Sequence, residues 1–184
     1  MQQAIAASQS NDSQTALDLL TRACREEQGS AWPHFLLGAE LAQLGRMSEA
    51  ETAYANAVVL APDFLIARFE LGTLQFTSGR ASIAVVTWHP LLELADDNPL
   101  KLFVQGYIAL MQDDFGNARH YFVQGMQANT ENAPLNGNIQ LLVNEIEKLR
   151  NTQPTGSEAT PEDAPAESSD HHFLLSAYNK GSLH

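Results

Sequence analysis

A single cysteine, Cys24, rules out an intrachain disulfide and fits a reducing compartment. Basic residues are scarce too: ten Lys and Arg stand against 22 Asp and Glu, for a net charge of −12. No basic run or patch occurs, so phosphate backbones and anionic membrane surfaces are repelled. The start, "MQQAIAASQSND", lacks the basic flank and long apolar core of a secretion signal, and no stretch has the length of a membrane span. The expectation is a cytoplasmic chain without nucleic-acid or membrane partners.

Catalytic chemistry is thin as well. No phosphate-cradling glycine loop is present. Asp96-Asp97 and Asp113-Asp114 pair carboxylates, but both fall at expected turns, where aspartate is favoured anyway. His34, His89 and His120 stand alone, and Cys24 has no evident base partner. His171-His172 lie where no cysteine or fixed carboxylate joins them, which is no coordination shell. The chain reads as a non-enzyme without cofactor or metal.

What the sequence does have is a period. Ala16, Ala50, Ala84 and Ala118 fall 34 residues apart, and so do Ala4, Gly38, Gly72 and Gly106. Leu20, Tyr54, Trp88 and Phe122 keep the same step, and Ala23, Ala57, Leu91 and Gly125 follow it. Within each unit two runs of helical period flank a short turn, at Gly45-Arg46, Gly79-Arg80 and Asp113-Asp114. A glycine there takes the left-handed conformation that ends a helix. Gly38 and Ala50 let paired helices approach, and no pair buries its apolar face alone, so neighbours must stack.

The clearest unit, "AWPHFLLGAELAQLGRMSEAETAYANAVVLAPDF" from Ala31 to Phe64, carries Leu37-Gly38, Ala50, Tyr54, Ala57 and Pro62. At these residues the chain resembles the tetratricopeptide repeat family. The resemblance covers roughly Met1 to Asn132 as four units, the first truncated. It implies an all-α, right-handed helix-turn-helix repeat solenoid of about four helix pairs. Asp96 and Thr130 replace the closing proline, and Pro90 inside the third unit's second helix should kink or shorten it.

The expected organisation follows. Residues 1–150 form the solenoid, with a capping helix over 133–150 that buries Ile139, Leu142, Val143, Ile146 and Leu149. Residues 151–170, with three prolines, five acids and no aromatic, read as a disordered acidic linker. Residues 171–184 end the chain on an apolar linear motif, Phe173, Leu174, Leu175 and Tyr178.

In the tetratricopeptide family the first helix of each pair lines a concave surface. The corresponding stripe is Trp32, Phe35, Ala39 and Ala42 in the second unit, then Ile66, Phe69, Thr73 and Phe76 in the third. In the fourth it is Leu100, Phe103, Tyr107 and Leu110; Met1, Ile5 and Ser8 stand in the first. Leu37, Leu41, Leu71 and Leu102 face the core instead. No residue of the stripe is charged, and Phe35, Phe69 and Phe103 recur at the repeat period as an expected aromatic ladder. That argues against the lysine- and arginine-lined groove with which relatives of this fold hold acidic chaperone tails. The resemblance implies an adaptor or chaperone-like interaction module that binds an apolar peptide. The chain's own terminal motif is one candidate guest, in cis or, in a self-assembling subunit, in trans. Recruitment of a different protein by that motif is the alternative.

Overall fold

The computed structural model describes residues 1–152, with side chains through Arg150. Residues from Gln153 onward lie outside it, and with them most of the expected linker and all of the terminal motif.

The described chain is all-helical and divides into two compact units, one Met1–Leu91 and one beginning at Leu92. The first holds three helix pairs: α1 (Gln2–Gln9) with α2 (Ser13–Glu26), α3 (Ala31–Gln43) with α4 (Met47–Leu60), and α5 (Leu65–Thr77) with α6 (Ala81–Trp88). The second holds α7 (Pro99–Met111) paired with α8 (Phe115–Ala128), and then α9 (Ala133–Thr152). Consecutive pairs also pack on one another in the first unit, α2 on α3 and α4 on α5, as a stacked repeat requires.

The turn inside every pair is closed by one left-handed residue, and the four fall on the 34-residue period: Asn11 (φ 57), Gly45 (φ 73), Gly79 (φ 76) and Asp113 (φ 56). Glycine takes this conformation without strain, and Asn and Asp are the next best tolerated. Asp12 and Asp114 then cap the helices that follow, accepting from Thr15 N at 3.2 Å and Asn117 N at 3.0 Å. Asn98 caps α7 through Leu100 N, with Pro99 in the first turn, where its missing N–H goes unused.

Each pair is held together by a small residue on the first helix beneath a bulky one on the second. A Cβ added at Gly38 would come within 2.7 Å of Tyr54, and one at Gly106 within 2.6 Å of Phe122. At Gly72 it would collide with Trp88. In the first pair the bulky residue is only Leu20, and an alanine, Ala4, fits beneath it, both buried. Trp88 is fully buried, and its indole N–H donates to Phe69 O at 3.1 Å. That bond satisfies the one polar atom of a large apolar side chain.

Pro90 acts as expected. Helix α6 stops at Trp88, and the chain continues as a 3₁₀ turn over His89–Glu93. Helix α9 runs to Thr152, past the boundary at 150 expected for it. It buries Leu135, Ile139, Leu142, Val143 and Ile146, while Arg119 of α8 reaches Glu147 at 2.7 Å. Where Thr130 replaces the closing proline, asparagines make the corner: Asn129 Nδ2 donates to Asn136 Oδ1 at 2.8 Å and to Asn132 O at 2.9 Å. Asn132 Oδ1 accepts from Leu135 N and opens α9.

Two substitutions test this frame. Gly72→Ala forces Trp88 to shift and should cost about 1–3 kcal/mol in urea unfolding, the range for overpacking a tight core. Asn11→Gly relieves a left-handed non-glycine residue and should be neutral to stabilising by up to about 1 kcal/mol in the same assay.

Candidate interaction site

The expected stripe divides by burial. In the first unit Trp32 is exposed (47%), and Phe35, Ile66 and Phe76 are half-buried. Phe69 has no exposed surface and Thr73 has 2%. In the second unit Leu100 is half-buried, whereas Phe103, Tyr107 and Leu110 are buried. The ladder of Phe35, Phe69 and Phe103 is therefore not an open one, and that expectation is corrected. Phe69 stacks on Trp88 at 6.5 Å between ring centroids. Phe103 lies on Gly125 of α8, where a Cβ would come within 2.5 Å of its ring, and Tyr107 meets Phe122 edge-on at 5.2 Å. Ala39 and Ala42 also turn inward, packing with Phe35 against the cluster of Leu17, Leu41, Tyr54, Leu71 and Leu74.

An accessible aromatic group remains in the first unit. Trp32 lies 5.5 Å from both Phe35 and Phe64, and Phe35 lies 5.0 Å from Phe64 and 5.9 Å from Tyr54. Phe64 comes from the residue preceding α5, so it joins the start of α3 to the start of α5. The repeat pattern gave no reason to single it out, although an aromatic beside the closing Pro62 was visible. Further along α5, Phe76 leans on Trp88 at 6.0 Å. Isolated apolar residues on a surface need no explanation, but a half-open cluster of rings does.

Polar groups interrupt this apolar surface at positions the stripe omitted. Glu70 sits one turn from Ile66 and from Thr73, at i+4 and i−3, and so shares their side of α5. Its residue is only partly covered, yet the carboxyl is set deep enough that burial pushes its pKa up to about 7. Among the described residues it has neither an ion pair nor a hydrogen bond. Thr73 is buried, and its hydroxyl has no partner among the described residues. Glu40, 3% exposed, accepts from Ser8 Oγ at 2.6 Å, which accounts for Ser8 of the truncated first unit. The signal for both acids lay in the period: Glu70 stands in register with Gln2, Leu36 and Val104, and Glu40 with Ala6, Leu74 and Ile108.

One further network belongs to the frame. Arg80 forks onto Glu51 at 2.9 and 2.6 Å, Gln75 reaches the same carboxylate at 3.4 Å, and Thr87 donates to Gln75 at 2.7 Å. Arg80's hydrogen bonds hold the Glu51 pKa below its ordinary value. Burial raises the pKa of the Cys24 thiol, away from the thiolate that nucleophilic chemistry needs, and lowers that of His34. Among the described residues no three His, Cys, Asp or Glu are grouped to hold a metal, and no helix is long and apolar enough to cross a membrane.

The pairing of helices on a 34-residue period, closed by one left-handed residue per pair, defines a helical-repeat fold of the tetratricopeptide type. Solved structures agree. MamA 41-end from Desulfovibrio magneticus RS-1 superposes with a TM-score of 0.58 at 13% identity, over 97% of this chain and 88% of that one. The MamA RS-1 ArsTM double mutant gives the same values. The likeness is one of fold. No protein-family profile matches the sequence, and no curated protein matches it either.

Glu70 gives a testable pH signature. Its folded pKa of about 7 exceeds the ordinary 4.5, so the folded state holds this proton more tightly than the unfolded chain does. Stability should be full below about 4.5 and decline as pH rises to about 7. Thermal unfolding followed by circular dichroism should show that decline, and Glu70→Gln should flatten it.

Proposed function

We propose that the chain is a non-catalytic protein-interaction module, adaptor- or chaperone-like, that captures an extended apolar peptide along the stripe side of its first helices. One observation carries the reading: Trp32 and Phe35 of α3 and Phe64 before α5 form a cluster of rings with open edges, Trp32 is nearly half exposed, and Ile66 and Phe76 of α5 are half-buried. A tryptophan held against two phenylalanines in water has apolar area still to bury, at about 25 cal/mol per Å². Such anchors dominate interfaces where they are found.

The buried residues act as a floor. Within the first unit Phe69 and Thr73 fix where the accessible side chains stand, and within the second Phe103, Tyr107 and Leu110 do the same for half-buried Leu100. A rigid floor lowers the ordering penalty of association, because the receiving side chains are already placed. An acidic body without a basic patch suits an uncharged or basic segment better than an acidic one.

Trp32→Ala with Ile66→Ala tests the assignment at one exposed and one half-buried side chain. Fluorescein-labelled apolar peptides, followed by anisotropy, should bind this double variant at least tenfold more weakly than the parent, while circular dichroism stays helical. Affinity unchanged in a helical variant would falsify the site.

A further inference from the structure

We propose that the peptide captured by the first unit carries one arginine or lysine among its apolar side chains, and that Glu70 is the residue that selects it. The proposal rests on the peptide-capture reading above and adds the charge of the guest.

Position is the first argument. Glu70 lies one turn after Ile66 on the same side of α5, and α5 begins directly after Phe64 of the open ring cluster. Six helical residues rise about 9 Å, close to the length of three extended residues, so a short peptide seated against Phe64 reaches Glu70. Glu70 is only partly covered, and its carboxyl oxygens, unlike the Thr73 hydroxyl, are not sealed from the surface. A guest side chain has access to them, and the Thr73 hydroxyl takes no part.

The lack of an internal partner is the second. Residues 1–91 carry nine Asp and Glu against five arginines and no lysine. Arg22 pairs with Glu26, Arg46 with Glu49 and Arg80 with Glu51. Arg68 donates to Pro62 O at 3.1 Å, and it stands two residues before Glu70, a spacing at which helical side chains do not face each other. Arg25 is exposed in the last turn of α2, burial favours the neutral form of His34, and His89 is exposed beyond the end of α6. Among the described residues no cation answers Glu70, whereas Glu40 accepts from Ser8.

Energetics is the third. Burial lifts the Glu70 pKa to about 7, because the charged form has lost hydration. An apolar guest side chain laid over it would remove the hydration that remains and leave a charge unpaired, and an acidic one would be repelled. A guanidinium or ammonium instead replaces the lost water with a charge-assisted hydrogen bond, at a site partly screened from solvent. One carboxylate thus favours a cation and disfavours the alternatives. Asp63, next to Phe64, is a second acid at this rim, but it is exposed, and ion pairs on open surface contribute little.

The test compares the full chain with its Glu70→Gln and Asp63→Asn variants at pH 8, where the Glu70 carboxyl is mostly ionised. The probes are short fluorescein-labelled Leu/Phe peptides with a single arginine moved along the sequence. Each has a twin in which citrulline, of the same shape but uncharged, replaces the arginine, and binding is read by anisotropy. At its best position arginine should bind the parent about tenfold more tightly than citrulline. Glu70→Gln should bring that ratio close to one while the citrulline peptide keeps or gains affinity. Asp63→Asn should leave the ratio within about twofold of the parent's. An arginine preference that survives Glu70→Gln, or that falls as far in Asp63→Asn, overturns selection by Glu70. So does an equal loss of both twins in Glu70→Gln, which is the mark of altered packing. If arginine and citrulline bind the parent equally at every position, the cationic guest is wrong and peptide capture stands. If no peptide of either series binds, both readings fall.

Discussion

The structure depends on how closely two helices can approach. Gly38 beneath Tyr54, Gly72 beneath Trp88 and Gly106 beneath Phe122 leave no room for a side-chain carbon, and Ala4 beneath Leu20 shows the same exchange with a smaller lid. An aromatic ring on the second helix fills the space that a glycine on the first leaves open. Both sides of the exchange must change together, which is why the two sets share one 34-residue register. Neither residue type favours a helix: glycine is costly in helix interiors and aromatics lose rotamer freedom there. Tertiary packing overrides that preference at each pair, so helicity here is a consequence of the stack.

That exchange also decides what remains available to a partner. Where the first helix lies tight against the second, the stripe residues nearest the contact are drawn into it. Phe103 is pressed on Gly125, and Phe69 on Trp88. Residues nearer the helix starts escape, because there the chain is entering from a turn and rings from neighbouring segments meet at a rim. Trp32 and Phe64 belong to this second group. The proposed interaction surface is thus an edge of the same aromatic packing that forms the core.

Much of this was legible in the sequence. The period fixed the number of pairs, placed Gly45 and Gly79 at left-handed turns, and set Gly72 beneath Trp88; Pro90 marked the early end of α6. Asn11 could have been added, since it stands one period before Gly45. Burial was harder to read. A repeat register says which residues are equivalent, and it says nothing of how much of each is covered. Phe35, Phe69 and Phe103 are equivalent by register, yet the first is half-buried and the other two are closed off. The difference comes from which residue fills each shared position: Trp88 stands beside Phe69 where Tyr54 stands beside Phe35, and Gly125 lies under Phe103 where the equivalents are Ala57 and Leu91.

The most informative residues for function are those that break the register. An acid standing where the neighbouring repeats have Leu36 and Val104, and the first has Gln2, gains nothing for the stack: Glu70 pays desolvation and receives no ion pair among the described residues. Glu40 breaks the pattern in the same way, but Ser8 answers it within the first unit. The two acids therefore differ in kind. Glu40 is satisfied by the fold, whereas Glu70, with the unanswered Thr73 hydroxyl one turn along, is polar capacity the described fold leaves unused. A carboxyl without an ion pair beside an apolar surface favours a guest that brings hydrogen-bonding groups along with its apolar side chains. A peptide in extended form does both, which favours the proposed peptide guest over a purely apolar one.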